Sequence, residues 1–207
     1  MTDRSITIAT ENDLKFILDL QRKFSNQIGF IPRSKTEFEL SKGNFLLGKL
    51  NCLDAGFLYV LPGLSCQPET TAIIQAAVRF DAQRMCLGLK LVEQLELISF
   101  LRGSLILQAS CREDLESNLF WQAAGFSIVG TRPGGKARGF IVNIFRKSLR
   151  EGVDISVLPI EPRERLPGGR WAKSKPNLDI NKHSLATLGS SRENETNARL
   201  AKLCLRI

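Results

Sequence analysis

Histidine and tyrosine are almost absent from this 207-residue chain, which contains one of each. The histidine, His183, lies in a polar C-terminal stretch, so neither a zinc site nor a Ser-His or Cys-His catalytic pair has its parts. Cysteine is odd in number and forms no C-x-x-C pair, which gives no sign of a disulfide framework. The thiols are Cys52, Cys66, Cys86, Cys111 and Cys204. We expect reduced, mostly structural cysteines and no metal ion.

The chain also lacks a long apolar run and a concentrated block of charge. No run approaches the ~20 residues that cross a bilayer, and the N-terminal Met-Thr-Asp-Arg has no apolar signal region. These features predict a cytoplasmic protein without a membrane partner. The net charge of +8 is spread along the chain, with no arginine-rich block and no recognisable DNA-binding helix. The charge therefore favours an anionic cofactor over nucleic acid.

Residues 81–90 are the most informative stretch. A near-continuous apolar run at 71–80 leads through them into an amphipathic segment at 87–101, which predicts a strand, a tight loop and a helix. The first N–H groups of such a helix have no partner within it, and the helix dipole is positive there. The loop therefore predicts a phosphate site. It contains neither GxGxxG nor GxxxxGK[ST], which excludes the dinucleotide and P-loop interpretations.

A second segment, residues 112–126, reads Arg-Glu-Asp-Leu-Glu-Ser-Asn-Leu-Phe-Trp-Gln-Ala-Ala-Gly-Phe. Asp114 and Glu116 suit the start of a helix, and apolar residues recur from Leu115 at one-turn spacing. Gly125 is placed to end that helix as its C′ residue. The segment predicts a short helix that is capped at both ends.

Together these segments resemble the GNAT superfamily of acyl-CoA N-acyltransferases. Residues 83–88 fill the six places of its pyrophosphate loop, Gln/Arg-x-x-Gly-x-Gly/Ala, with Cys86 in place of the first glycine. Residues 112–126 resemble its Asn-x-x-x-Phe-Tyr-x-x-x-Gly-Phe helix. The resemblance covers roughly residues 5–149 in the right order, and the 132–139 loop is similar to that of small bacterial and phage-encoded acyltransferases.

The other elements fit the α/β fold that this resemblance implies. Apolar patterning predicts strands at 5–9, 44–50, 55–61, 71–80, 104–110, 127–132 and 139–145, with further helices near 14–24 and 35–40. The implied fold is a mixed, mostly antiparallel seven-stranded sheet with flanking helices. Its central pair, 71–80 and 104–110, should be parallel, because the helix between them is a right-handed crossover. The resemblance implies that the pair also diverges towards the C-terminal ends, because the cofactor needs the gap.

We expect a GNAT-like domain at residues 1–150 and a C-terminal tail at 151–207. The tail contains four prolines, a turn signal and a long polar run, yet it closes on a short apolar stretch. Such a segment cannot form an independent core. We therefore predict that it runs along a protein partner or a neighbouring copy of the chain.

The resemblance implies N-acyl transfer from acetyl-CoA to an amine by direct attack, with no metal. It places pantetheine on the backbone of Ala77 and Val78. The remaining cofactor-binding positions that it implies are Gln83, Arg84, Met85, Cys86, Leu87, Gly88 and Asn118. The amine acceptor is not indicated.

Two departures keep other functions open. Trp121 stands where the family commonly has a tyrosine that protonates the leaving thiolate, and an indole N–H cannot act as that acid. Tyr59 lies on another predicted strand, and no Asp or Glu lies within residues 73–80. Cys86 adds a Cβ where glycine allows close approach to phosphate, so Cys86→Gly is expected to tighten acetyl-CoA binding. The alternatives are a catalytically inactive structural or interaction subunit, in one form a component of a phage particle, and a cofactor-binding regulator.

Overall fold

The computed structural model describes residues 3–64, 67–134 and 139–156. The strands are β1 Arg4–Ile8, β2 Phe45–Leu50, β3 Leu53–Leu64, β4 Gln67–Val78, β5 Ile106–Arg112, β6 Ser127–Pro133 and β7 Ile141–Ser148. The helices are α1 Leu14–Lys23, α2 Ser25–Ile28, α3 Arg33–Ser41, α4 Leu87–Leu101 and α5 Ser117–Ala123. The predicted tail lies outside the described residues from position 157 onward, and its role stays a prediction.

All seven strands form one sheet in the order β1-β2-β3-β4-β5-β7-β6. Neighbouring strands are antiparallel except β4 and β5, which are parallel and are joined through helix α4. The predicted α/β fold is confirmed: a mixed, mostly antiparallel seven-stranded sheet with a central parallel pair and flanking helices. None of the helices in the described ranges combines the length and the hydropathy of a membrane span.

The parallel pair separates part-way along its length. Pairing joins Thr70 to Ile106 at one end and Ile73 to Ala109 at the other, whereas β4 and β5 both continue beyond this pairing. The first residue past the paired stretch, Ile74, is an extra residue in the ladder between β3 and β4. A bulge of this kind bends a strand and increases its twist. An opening between β4 and β5 therefore begins where their pairing ends.

Side-chain alternation divides the core between the two faces of the sheet. On one face, α4 packs against strand side chains and α5 adds Trp121. On the other face, α1 and α3 cover the side chains of β2 and β3. The α4 face includes Leu46, Leu58, Leu87, Leu91 and Leu95, and the opposite face includes Ile17, Leu40, Phe45, Phe57 and Tyr59. The two faces of the opening are thus bordered by different helices.

Several predicted boundaries differ from the structure. β3 and β4 are longer than predicted and pair with each other as far as Leu64 and Gln67, which shifts the start of β4 from 71 to Gln67. Phe80 lies in a 3₁₀ turn rather than in the strand. The fifth helix begins at Ser117, after Asp114 and Glu116, and the carboxylate of Asp114 bonds to Arg112 at the end of β5. Gly125 has a φ of 85°, as its predicted C′ position requires.

Candidate functional site

The loop before α4 leaves backbone donors free at the start of that helix. Cys86 precedes the helix with φ 59° and ψ 9°, and its carbonyl accepts the N–H of Lys90 at 3.1 Å. The N–H groups of the first turn, from Leu87 to Leu89, lie before this bond and have no acceptor within the helix. Such a turn attracts anions through its donors and its dipole. The loop therefore fits a diphosphate.

The loop is tied to the end of β4. The Gln83 side-chain amide donates to the carbonyl of Val78 at 3.0 Å, and the N–H of Arg79 donates to the carbonyl of Ala55 at 2.8 Å. The Val78 carbonyl is therefore already bonded. Within the described residues no strand pairs with the β5-facing edge of β4 beyond Ile73. A pantetheine arm in the opening would meet the backbone groups of that free edge.

The predicted loop residues differ in what they expose. Leu87 is buried and Met85 packs against the α4-face core, so both offer mainly backbone to the loop surface. Gln83, Arg84 and Cys86 are exposed. Ala77, near the end of β4, is buried on the opposite face. The structure thus brings the end of β4 and residues 83–88 together, as the resemblance implies, while the contacts of each residue with a cofactor stay predictions.

Gly88 also makes room for a neighbouring helix. A Cβ at this position would lie 3.0 Å from Cε2 and 3.2 Å from Cζ of Phe120 in α5. The Phe120 ring in turn contacts Trp121, with ring centroids 5.0 Å apart. Glycine here therefore admits an aromatic ring beside the loop as well as a close approach of phosphate. The sequence pattern alone indicated only the second role.

Cys86 has a backbone conformation that favours glycine. At φ 59° a non-glycine residue carries about 1 to 2 kcal/mol of strain. Because this strain is present without ligand, Cys86→Gly should raise the free energy of unfolding by about 1 kcal/mol. Removal of the Cβ and the thiol from the loop rim should tighten acetyl-CoA binding by up to about tenfold.

Cys52 provides the matched control, since it is exposed and left-handed at φ 64° in the turn between β2 and β3. Cys52→Gly should raise the melting temperature by a similar amount and leave acetyl-CoA binding unchanged. Thermal melts and calorimetric titrations measure the two quantities separately. Equal affinity in both variants would show that the Cys86 side chain points away from the ligand.

Asn118 lies in α5, and its side chain is bonded within the protein. Its side-chain amide donates to the carbonyls of Arg112, Glu113 and Leu115 at 2.7, 3.1 and 2.6 Å. Its Oδ1 accepts the amide of Asn143 in β7 at 3.0 Å. These bonds hold the connection from β5 to α5 in shape. The predicted contact of Asn118 with the cofactor stays a prediction.

Neither Trp121, at the position of the family's tyrosine, nor the chain's own tyrosine is placed at the opening. Trp121 is buried against Phe126, with ring centroids 5.2 Å apart. Tyr59 is fully buried on the opposite face and stacks on Phe45 at 4.6 Å, and its hydroxyl has no hydrogen-bond partner among the described residues. Burial, with a smaller contribution from the charge of Glu39, raises the pKa of Tyr59 to about 12. Tyr59 is therefore a core residue.

Tyr59→Phe should leave acyl transfer unchanged and should stabilise the fold, because burying an unpaired hydroxyl costs about 1 to 3 kcal/mol. The raised pKa has a further consequence. Because burial disfavours the phenolate, the folded state keeps its full stability below pH 10, the pKa of tyrosine in the unfolded chain, and loses stability as pH rises towards about 12. Because the chain has one tyrosine, phenolate absorbance reports Tyr59 alone and should appear together with unfolding. Phenolate formation near pH 10 in the folded protein would contradict this placement.

Sequence reasoning missed Gly56, which lies behind the free edge of β4. Gly56 pairs with Val78, and a Cβ on it would lie 2.8 Å from the carbonyl oxygen of Ala77. The available signal was an isolated glycine inside a strand pattern, which marks close approach of another backbone.

No protein-family model and no curated protein sequence matches the chain. Solved structures do match its fold. YncA from Salmonella typhimurium, in complex with its cofactor acetyl-CoA, has a TM-score of 0.61 and 13% identity, over 73% of this chain and 96% of its own. The ribosomal-protein-S18-alanine N-acetyltransferase from Escherichia coli has a TM-score of 0.57 and 16% identity, over 75% of this chain and 100% of its own.

An aminoglycoside 6′-N-acetyltransferase complexed with coenzyme A has a TM-score of 0.61 and 14% identity, over 72% of this chain and 99% of its own. Two of the three proteins are named for different acceptors, and what all three share with this chain is the architecture described above. The resemblance deduced from the two sequence segments and the likeness of the structures agree. The described part of this chain has the GNAT fold.

Proposed function

We propose that the protein transfers an acetyl or related acyl group from acyl-CoA to an amine. The observation that carries this proposal is the opening between β4 and β5, which begins past Ile73 and leads to the free N–H groups at the start of α4. A strand edge with free backbone groups suits the amides of pantetheine, and the helix start suits its diphosphate. Structural neighbours that contain acetyl-CoA or coenzyme A support this choice of substrate.

The proposed reaction is direct. The amine nitrogen attacks the thioester carbonyl carbon, the C–S bond breaks, the amine gives up a proton, and the thiolate takes one up. The chain contributes by orienting the thioester, since holding reactants in place supplies a large part of the rate. Trp121 has no ionisable proton near neutral pH, and the Tyr59 hydroxyl is enclosed in the core. We therefore assign both proton transfers to water.

A second candidate is a structural or interaction subunit that retains the fold without catalysis. Cys86 in a glycine conformation and the absence of a phenol at the opening favour it. Under this candidate the predicted segment 151–207 carries the function by binding a partner or another copy. The two candidates also differ in location, with the enzyme in the cytoplasm and the subunit within a larger particle.

Calorimetric titration of the full chain with acetyl-CoA and with CoA tests the first step. We expect saturable binding of both. Release of free CoA thiol with a panel of primary amines then tests transfer, with hydrolysis in the absence of amine as the background. A flat titration at millimolar ligand would refute the acyltransferase proposal, and binding without transfer to any amine would favour a cofactor-binding regulator.

A further inference from the structure

Residues 26–29 cover the α1–α3 side of the opening and are bonded to both strands that border it. From β4, the side-chain amide of Gln75 donates to the carbonyls of Ile28 and Gly29 at 3.2 and 3.1 Å. From the end of β5, Nη1 of Arg112 donates to the carbonyl of Asn26 at 3.1 Å. Two strands that no longer pair with each other are therefore joined through one short segment.

Gln75 fits this position through both ends of its amide. While its Nε2 donates to the two carbonyls, its Oε1 accepts from Nε2 of Gln21 in α1 at 2.8 Å. Gln75 and Gln21 are 3% and 5% exposed, so water does not replace these bonds. A carboxylate has no donor for the carbonyls, and an apolar side chain has neither donor nor acceptor. The amide of Gln75 is thus matched to its three partners.

Arg112 is held in a fixed orientation. Its Nε and Nη2 donate to the two carboxylate oxygens of Asp114 at 2.9 and 2.5 Å, and its guanidinium lies 4.6 Å from the centroid of the Phe140 ring. Bidentate pairing of this kind fixes the plane of the guanidinium. The remaining nitrogen, Nη1, is therefore aimed at Asn26. Arg112 is therefore the second anchor of the 26–29 segment.

The segment lies where an acyl group would emerge. Helix α4, whose start carries the free donors, packs on one face of the sheet, and Ile28 packs on the other. A pantetheine arm that enters the opening from the α4 face ends on the opposite face, next to residues 26–29. Phe30, which is 82% exposed, follows the segment directly. The acceptor amine would have to approach the thioester past this border.

We propose that Gln75 is a positioning residue for the acyl acceptor, an inference that rests on the acyl-transfer function proposed above. Together with Arg112, Gln75 holds residues 26–29 over the opening and so sets the space in which the amine meets the thioester. It touches neither reacting group. Its effect should therefore fall on the acceptor and should spare the binding of acyl-CoA, which uses the free edge of β4 and the start of α4.

Gln75→Met removes the amide at nearly constant volume and tests this inference. Steady-state transfer is measured with primary amines of increasing size, from ethylamine to phenethylamine, while acetyl-CoA is varied independently. The KM for the small amines should rise about tenfold because the acceptor space is no longer fixed. The KM for acetyl-CoA should stay within about twofold of the wild-type value. The kcat/KM for larger amines should rise relative to that for smaller ones.

Gln122→Met is the matched control, since Gln122 lies exposed in α5, outside the 26–29 segment, and its side chain makes no hydrogen bond within the described residues. Arg112→Lys retains the charge but loses the bidentate geometry, so it releases the other anchor of the segment. It provides the same test if Gln75→Met does not fold. If the folded variants keep the wild-type KM for amines and the same order of preference by amine size, the inference fails while the proposed function stands. An equal rise in the KM for the amine and the KM for acetyl-CoA would also overturn the inference. Absence of transfer in the wild type would overturn the proposed function together with it.

Discussion

Gly56→Ala is expected to weaken acetyl-CoA binding by about tenfold and to lower the free energy of unfolding by about 1 to 3 kcal/mol. Gly56 contacts no predicted ligand atom, because it lies on β3, on the far side of β4 from the opening. Its added Cβ would lie 2.8 Å from the Ala77 carbonyl oxygen and 3.2 Å from Cα of Val78. Both are backbone atoms, so β4 itself has to shift.

The part of β4 that would move is the part that does not pair with β5. Past Ile73 that strand is supported by β3 alone among the described strands, so displacement is not resisted from the other side. The free backbone groups that we assign to pantetheine would move with it. A loss of affinity caused by a residue behind the strand would show that the strand edge is the binding surface.

Gly48→Ala is the comparison for this experiment, because Gly48 pairs directly with Gly56 across the β2–β3 ladder. Its added Cβ would meet the side chain of Leu87, at 3.1 Å from Cδ1, and a flexible side chain can yield where backbone cannot. Melting temperature and acetyl-CoA affinity, measured by thermal melts and titrations, should therefore differ clearly between the two variants. If Gly56→Ala binds acetyl-CoA as tightly as the wild type, the assignment of pantetheine to β4 fails.

The fold was accessible from the sequence because its signals are local. The apolar run at 71–80, the tight loop and the amphipathic helix that follow one another in the sequence correspond to β4, its loop and α4. The short helix before Gly125 corresponds to α5. The handedness of the crossover then makes β4 and β5 parallel neighbours. The misplaced start of β4 has a physical cause. Residues 67–70, Gln-Pro-Glu-Thr, contain no apolar run, so a hydrophobic pattern does not reveal a strand that pairs there with the end of β3 and the start of β5.

The interior of the site was less accessible, because it depends on contacts between distant residues. The bond from Gln75 to residues 28 and 29 joins positions more than 40 apart, and the space that Gly88 leaves is filled by Phe120. The sequence pattern also shows Cys86 only as a missing glycine. Cys86 has a φ of 59° although it is not glycine, which indicates that the surrounding backbone determines this conformation.

Asn118→Asp is expected to lower the free energy of unfolding by roughly 2 to 3 kcal/mol, more than an ordinary exposed substitution. The change replaces an amide that donates to three backbone carbonyls with a carboxylate that donates to none. Only the bond from Asn143 keeps a suitable acceptor. Asn51→Asp is the control, because the Asn51 side chain accepts from the N–H of Asp3 at 3.1 Å and an aspartate retains that acceptor.

Thermal melts followed over pH separate the two roles open to Asn118. An introduced carboxyl that faces carbonyl oxygens should have a raised pKa, so the folded state takes up its proton more readily than the unfolded state. The loss of stability should then be largest near neutral pH and should shrink as pH falls towards about 4, where the protonated acid regains one donor. A direct contact with the cofactor predicts the opposite pattern: weakened acetyl-CoA binding with a melting temperature like that of the Asn51→Asp control. Because the Asn118 amide holds three backbone carbonyls of the connection from β5 to α5, we expect stability to change first and affinity to follow from it.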